Sequence, residues 1–173
     1  MDKLHSDKDK DIRVLPRDRA FFDMFRSHKN FGLKVRQEIK RAERYCEFIS
    51  LVVITFKGLN YLKFPIGDEY GNYNSLDDFY EALRKLICKT VRDTDYVSGT
   101  ENNKMGLLLV ETSKDGAEKL INRLKTIISN FIAPYFNPTD KTDWGISYLI
   151  FSIPSDQTNK EEMLNIVKGF LEG

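Results

Sequence analysis

The chain has 173 residues, 41% of them hydrophobic and 12% aromatic, enough to bury one sizeable core in a single domain. Its 27 basic and 26 acidic residues leave a formal net charge of +1, so no overall field points to DNA, RNA or an anionic membrane as partner. No apolar run reaches the about 18 residues of a membrane span, and no basic-then-apolar leader opens the chain, so a cytoplasmic location is expected.

In chain order, residues 1–15 are dense in charge and poor in large apolar side chains, which predicts a mobile arm ahead of one domain over 16–173. From Asp18 the pattern predicts two consecutive helices broken around Asn30-Phe31-Gly32, with Val35, Ile39, Ala42 and Cys46 on one apolar face. Cys46 and Cys88, which have no CxxC or Cys/His spacing, read as buried free thiols. Residues 48–55, "FISLVVIT", are apolar on both faces, as a covered central strand requires. An irregular stretch over 56–75 follows, in which Tyr61, Phe64, Tyr70 and Tyr73 read as hydrophobic anchors of a long loop or as bases' stacking partners.

A helix is predicted from about residue 76, with Tyr80, Leu83, Ile87 and Val91 on one stripe. "DYVSG" and "KMGLLLVE" form a hairpin around a polar tip. Ser113 caps the next helix, whose apolar face is Ala117, Leu120, Ile121, Leu124, Ile127 and Ile128. Trp144 then packs at the core edge before a strand over 146–153, and Thr158 with Glu161 makes a capping box for a last helix to about Leu171. The order α-β-α-β-β-α-β-α predicts an α+β sandwich of the ferredoxin-like or palm type, with a mainly antiparallel sheet flanked by helices. His5 and His28 have no partners of catalytic spacing and read as surface residues.

Over roughly residues 31–153 the pattern resembles the GGDEF domain, the bacterial signalling domain of diguanylate cyclases, which condense two GTP into cyclic di-GMP. "EIKRAERYCEFISLVVI" is similar to that family's E-x-x-R-A-x-R-Y and first strand, and "RDTDYVSGTENNKMGLLLVET" to its R-x-x-D, five residues, signature and aliphatic strand. In this register the signature pentapeptide is Glu101, Asn102, Asn103, Lys104 and Met105. The resemblance implies that the paired glycines, which admit nucleotide close to the backbone, have become Glu101 and Asn102. The two carboxylates that hold Mg²⁺ fall on Asn103 and Thr55, and Lys104 reverses the charge of the fourth signature position. The substrate-binding Asn and its neighbouring Asp fall on Lys63 and Phe64.

The same register keeps the parts of an inhibitory product site: Arg92 and Asp95 of R-x-x-D, and Arg123 on the following helix. An Arg fork can donate to guanine O6 and N7 while a carboxylate accepts from N1–H and the 2-amino group. The resemblance therefore implies a domain that makes no product, uses no cofactor or metal, and either binds cyclic di-GMP for a protein partner or acts as a nucleotide-independent scaffold. A homodimer is compatible with either. On the residues alone, Asp95 could equally bracket a strand start, and both arginines could be solvated helix ends.

Overall fold

The computed structural model describes residues 23–59, 73, 75–136, 144–154 and 157–172. Its helices are α1 (His28–Tyr45), α2 (Leu76–Thr90), α3 (Lys114–Ile132) and α4 (Gln157–Glu172), with a 3₁₀ turn at Ala133–Tyr135. Its strands are β1 (Ile49–Lys57), β2 (Tyr96–Val97), β3 (Lys104–Val110) and β4 (Gly145–Ile153). They form one antiparallel sheet in the order β2-β3-β1-β4, the ferredoxin-like arrangement expected from the element order. None of the described helices is long and apolar enough to cross a membrane.

Strand alternation divides the core in two, which is why β1 is apolar on both faces. Val52, Ile54 and Phe56 point with Leu107 and Leu109 toward Phe79, Leu83 and Ile87 of α2 and Ile121, Leu124 and Ile128 of α3. Leu51 and Val53 point the other way, with Leu108, toward Phe31, Val35 and Ile39 of α1 and Met163, Val167 and Phe170 of α4. Tyr73 packs against Phe79, Phe131 and Tyr135, and Trp144 stacks on Phe136 with centroids 4.5 Å apart, so both are hydrophobic anchors. Tyr61, Phe64, Tyr70 and His5 lie outside the described residues.

Three local expectations are corrected. The helix break lies at residues 25–27, and Asn30, Phe31 and Gly32 are inside α1, where the Ser27 hydroxyl accepts the Asn30 N–H as N-cap. Gly32 is there for close packing: a Cβ on it would meet Leu171 Cδ2 at 3.0 Å, so α4 can approach α1 only over a bare Cα. Cys46 is exposed because the helix ends before it, and it turns the chain in the left-handed region at φ 54°; Cys88 is half-buried against the α2–α3 core. At the last helix, α4 starts at Gln157, one residue ahead of the expected cap Thr158.

Candidate functional site

The signature positions form a tight hairpin. Glu101 N–H donates to Lys104 O at 3.1 Å and Lys104 N–H to Glu101 O at 2.9 Å, leaving Asn102 and Asn103 as a two-residue loop with φ 49° and 59°. Positive φ at both loop positions is the primed-turn geometry that matches strand twist, and Asn tolerates it better than most residues. The loop is tied down on both sides. Asn103 O accepts the Phe56 N–H at 2.8 Å, and its side-chain Oδ1 accepts the Tyr80 hydroxyl at 3.3 Å. Burial, with Asp77 adding to it, pushes the Tyr80 phenol up to about 12, so the hydroxyl stays a neutral donor.

Glu101, expected to obstruct the backbone approach, has a structural task. Its Oε1 accepts the His28 N–H at 3.0 Å, placing a carboxylate at the start of α1, where unpaired N–H groups and the helix dipole favour an anion. His28 is buried rather than a surface residue: its Nε2 lies 2.9 Å from Gly99 O and its Nδ1 3.6 Å from Glu101 Oε2, and Phe170 packs edge-on against the ring. A carbonyl acceptor fixes the proton on Nε2. Gly99 N–H also donates to Arg26 O at 2.7 Å, and a Cβ on Gly99 would lie 2.6 Å from that oxygen, so the glycine lets the two segments touch. We expect Glu101→Gly, although it brings back the family's own residue, to lower stability by about 1 kcal/mol, the value of a lost N-terminal cap and charge. Urea unfolding that shows no loss would refute this role.

Thr55 stands opposite Lys104 across the β1–β3 ladder, on the α1–α4 side of the sheet. A divalent cation needs charged oxygen donors. A neutral hydroxyl, an amide already accepting from Tyr80 and a neighbouring ammonium do not fit one, and Glu101 is engaged by α1. Among the described residues no group of three His, Cys, Asp or Glu could hold a metal ion. Beside the hairpin, a cavity of about 530 Å³ is lined by Asp77, Asp78, Glu81 and Glu101, and Arg26, the one cation among its described lining residues, is paired with Asp23 and Glu81. Met105 is fully buried in the core, and Lys63 and Phe64 lie outside the described residues.

A second constellation lies at the opposite end of β3. Arg92 follows α2, Asp95 precedes β2 and Arg123 projects from α3, and all three line one cavity of about 420 Å³. Asp95 is 4% exposed; its Oδ2 accepts the Arg92 N–H at 2.9 Å and its Oδ1 the Val110 N–H at 3.1 Å. It thus holds the turn after α2 against the end of β3. Arg123 Nη2 donates to Thr90 O at 2.9 Å, satisfying a carbonyl at the C-terminus of α2. Lys119, one turn before Arg123, also lines the cavity. The sequence reading missed it because nothing in R-x-x-D spacing points to α3 at that position.

A family model described as "Diguanylate cyclase, GGDEF domain" matches residues 24–172. Among solved structures, the active GGEEF domain of a diguanylate cyclase from Vibrio cholerae is similar over 72% of this chain and 74% of its own, at 17% identity and TM-score 0.54. The GGDEF domain of DgcB from Caulobacter crescentus, solved in complex with c-di-GMP, is 9% identical over 84% of this chain and 80% of its own, with TM-score 0.58. The FimX GGDEF domain from Pseudomonas aeruginosa is 14% identical over 85% of both chains, also with TM-score 0.58. No curated protein matches the chain.

Proposed function

The chain belongs to the GGDEF family of diguanylate cyclase domains, and from that footing we propose that it is a catalytically inactive member that binds cyclic di-GMP in the cavity of Arg92, Asp95 and Arg123. The observation that carries the reading is the meeting of Arg92, which follows α2, with Lys119 and Arg123 of α3 in one cavity, built on the buried turn that Asp95 holds. Arginine forks and an ammonium suit a ligand with two phosphates and two guanines, and the volume lies within the range of small-molecule sites. Arg92 and Arg123 contact the ligand; Asp95 lines the cavity between them and sets their spacing. The cyclic di-GMP bound to the Caulobacter domain supports this choice of ligand.

Inactivity rests on the hairpin end. Thr55 and Asn103 give a metal no anionic ligand, and the carboxylates around the adjacent cavity repel a triphosphate. The test is isothermal titration with cyclic di-GMP, run beside an assay for its formation from GTP with Mg²⁺ or Mn²⁺. Binding is expected without turnover, with Arg92→Ala weakening it by about 1–3 kcal/mol, the range for a bidentate Arg–guanine pair. Steady product formation would overturn the inactive reading. Absence of binding, or binding that survives Arg92→Ala combined with Arg123→Ala, would leave a domain that acts through protein contacts without nucleotide.

A further inference from the structure

The two edges of the sheet are unlike. At one, β2 is two residues long and is followed, after Ser98, by Gly99, whose N–H is taken by Arg26 O. At the other, β4 runs nine residues, "GISYLIFSI", with no charged residue and no proline inside it. Sheet edges are ordinarily blunted by short strands, charge or proline, because a row of open N–H and C=O groups recruits another strand. The β2 edge follows that rule and the β4 edge breaks it. Among the described residues only β1 pairs with β4. Of its nine positions only Ile153 is buried, whereas β1 is buried at seven of nine. Leu149, its middle residue, is 51% exposed.

We propose that the outer edge of β4 pairs antiparallel with the same edge of a second copy, about a two-fold axis at Leu149. The occupant follows from the strand's own symmetry. An isologous interface requires one surface to complement itself. Centring on residue 149 sets Leu149 against Leu149, Tyr148 against Ile150 and Ser147 against Phe151, so that no charges meet and the aromatic–β-branched pair, favourable across strands, occurs twice. Nine residues give a ladder of about 30 Å. The four-stranded sheet becomes a continuous one of eight strands, and the exposed leucines cover each other.

This dimer also orients the hairpins. In the β1–β4 register Thr55 stands opposite Ser147 and Lys57 opposite Gly145, so each signature hairpin lies at the Gly145 end of its β4. Antiparallel pairing sends the two hairpins to opposite ends of the joined sheet. The contact itself does not depend on cyclic di-GMP binding, and its test is separate from the titration above.

Sedimentation of the full chain across a concentration series is expected to show a dimer that dissociates on dilution. Leu149→Lys places a charge at the two-fold axis and is expected to give monomer throughout, with an unchanged circular dichroism spectrum. In a Cys46→Ser background, Leu149→Cys is expected to form a disulfide-linked homodimer on oxidation. Ser147→Cys and Phe151→Cys are each expected to stay unlinked alone and to cross-link when mixed. A wild-type chain that is monomeric at every concentration would overturn the proposal, as would a dimer that survives Leu149→Lys and fails to cross-link through Leu149→Cys.

Discussion

Asp95→Ala is expected to lower the unfolding free energy by about 3–5 kcal/mol, because it removes one buried carboxylate that accepts two backbone N–H groups. Neither donor has an obvious replacement. The Arg92 N–H lies in the turn after α2 and the Val110 N–H at the end of β3, and Asp95 itself is almost fully excluded from water. Each bond to a charged acceptor contributes about 1.5–3 kcal/mol, and a buried donor left without a partner adds its desolvation cost. Asp95→Asn is expected to fall between: the amide oxygen keeps one N–H, while the NH₂ group turns a donor toward the other. Denaturant or thermal melts would measure both. A melt of Asp95→Ala indistinguishable from wild type would show that these bonds hold nothing.

The same substitution separates two readings of the R-x-x-D pair. If Asp95 chiefly gripped guanine, Asp95→Asn would weaken ligand binding and leave stability alone. With both its oxygens on the backbone, stability falls first and binding falls with it. Arg92→Ala is the complementary case, since Arg92 is exposed and the Asp95 bond to its backbone N–H survives the substitution. That substitution should cost affinity with little change in the melt.

How far the sequence discloses this molecule depends on whether a residue's partner is near in chain or pattern. The sheet and its two inner strands were legible because "SLVVI" and "LLLV" alternate between two apolar faces, a periodicity that survives without knowing the partners. The grouping of Arg92, Asp95 and Arg123 was legible through spacing within a family pattern. His28 was not: a lone histidine carries no periodic mark, and its partners Gly99 and Glu101 lie over 70 residues away. Glu101 read as an obstruction because its contact with the start of α1 depends on tertiary approach. Gly32 read as a helix breaker by composition, whereas its role comes from α4 crossing above it.

Gly106 belongs to the same class, and its replacement should have the other large effect on stability. It sits in the middle of β3 opposite Val53, and the Phe31 ring of α1 lies directly over it. A Cβ at that position would stand 2.3 Å from Phe31 Cε1, 2.7 Å from its Cζ and 3.0 Å from Phe170 Cζ, all inside ordinary contact distance. Phe31 has no room to turn away, being wholly buried and set edge-on to Phe170 at 5.2 Å. Relief therefore requires α1 to move off the sheet, and overpacking of this kind costs about 1–3 kcal/mol, at the upper end where backbone must shift. Gly145→Ala is the control, since an added Cβ there meets nothing within 4 Å. The displacement of α1 carries a second readout. His28 begins that helix and is bound to Gly99 and Glu101, so Gly106→Ala should loosen the hairpin as well as the core. Amide exchange at His28 and Gly99 should accelerate in the variant under native conditions, while exchange at Val110, held by Asp95, should follow the global loss alone. A Gly106→Ala protein that melts with wild type would show that α1 accommodates the methyl without leaving the sheet.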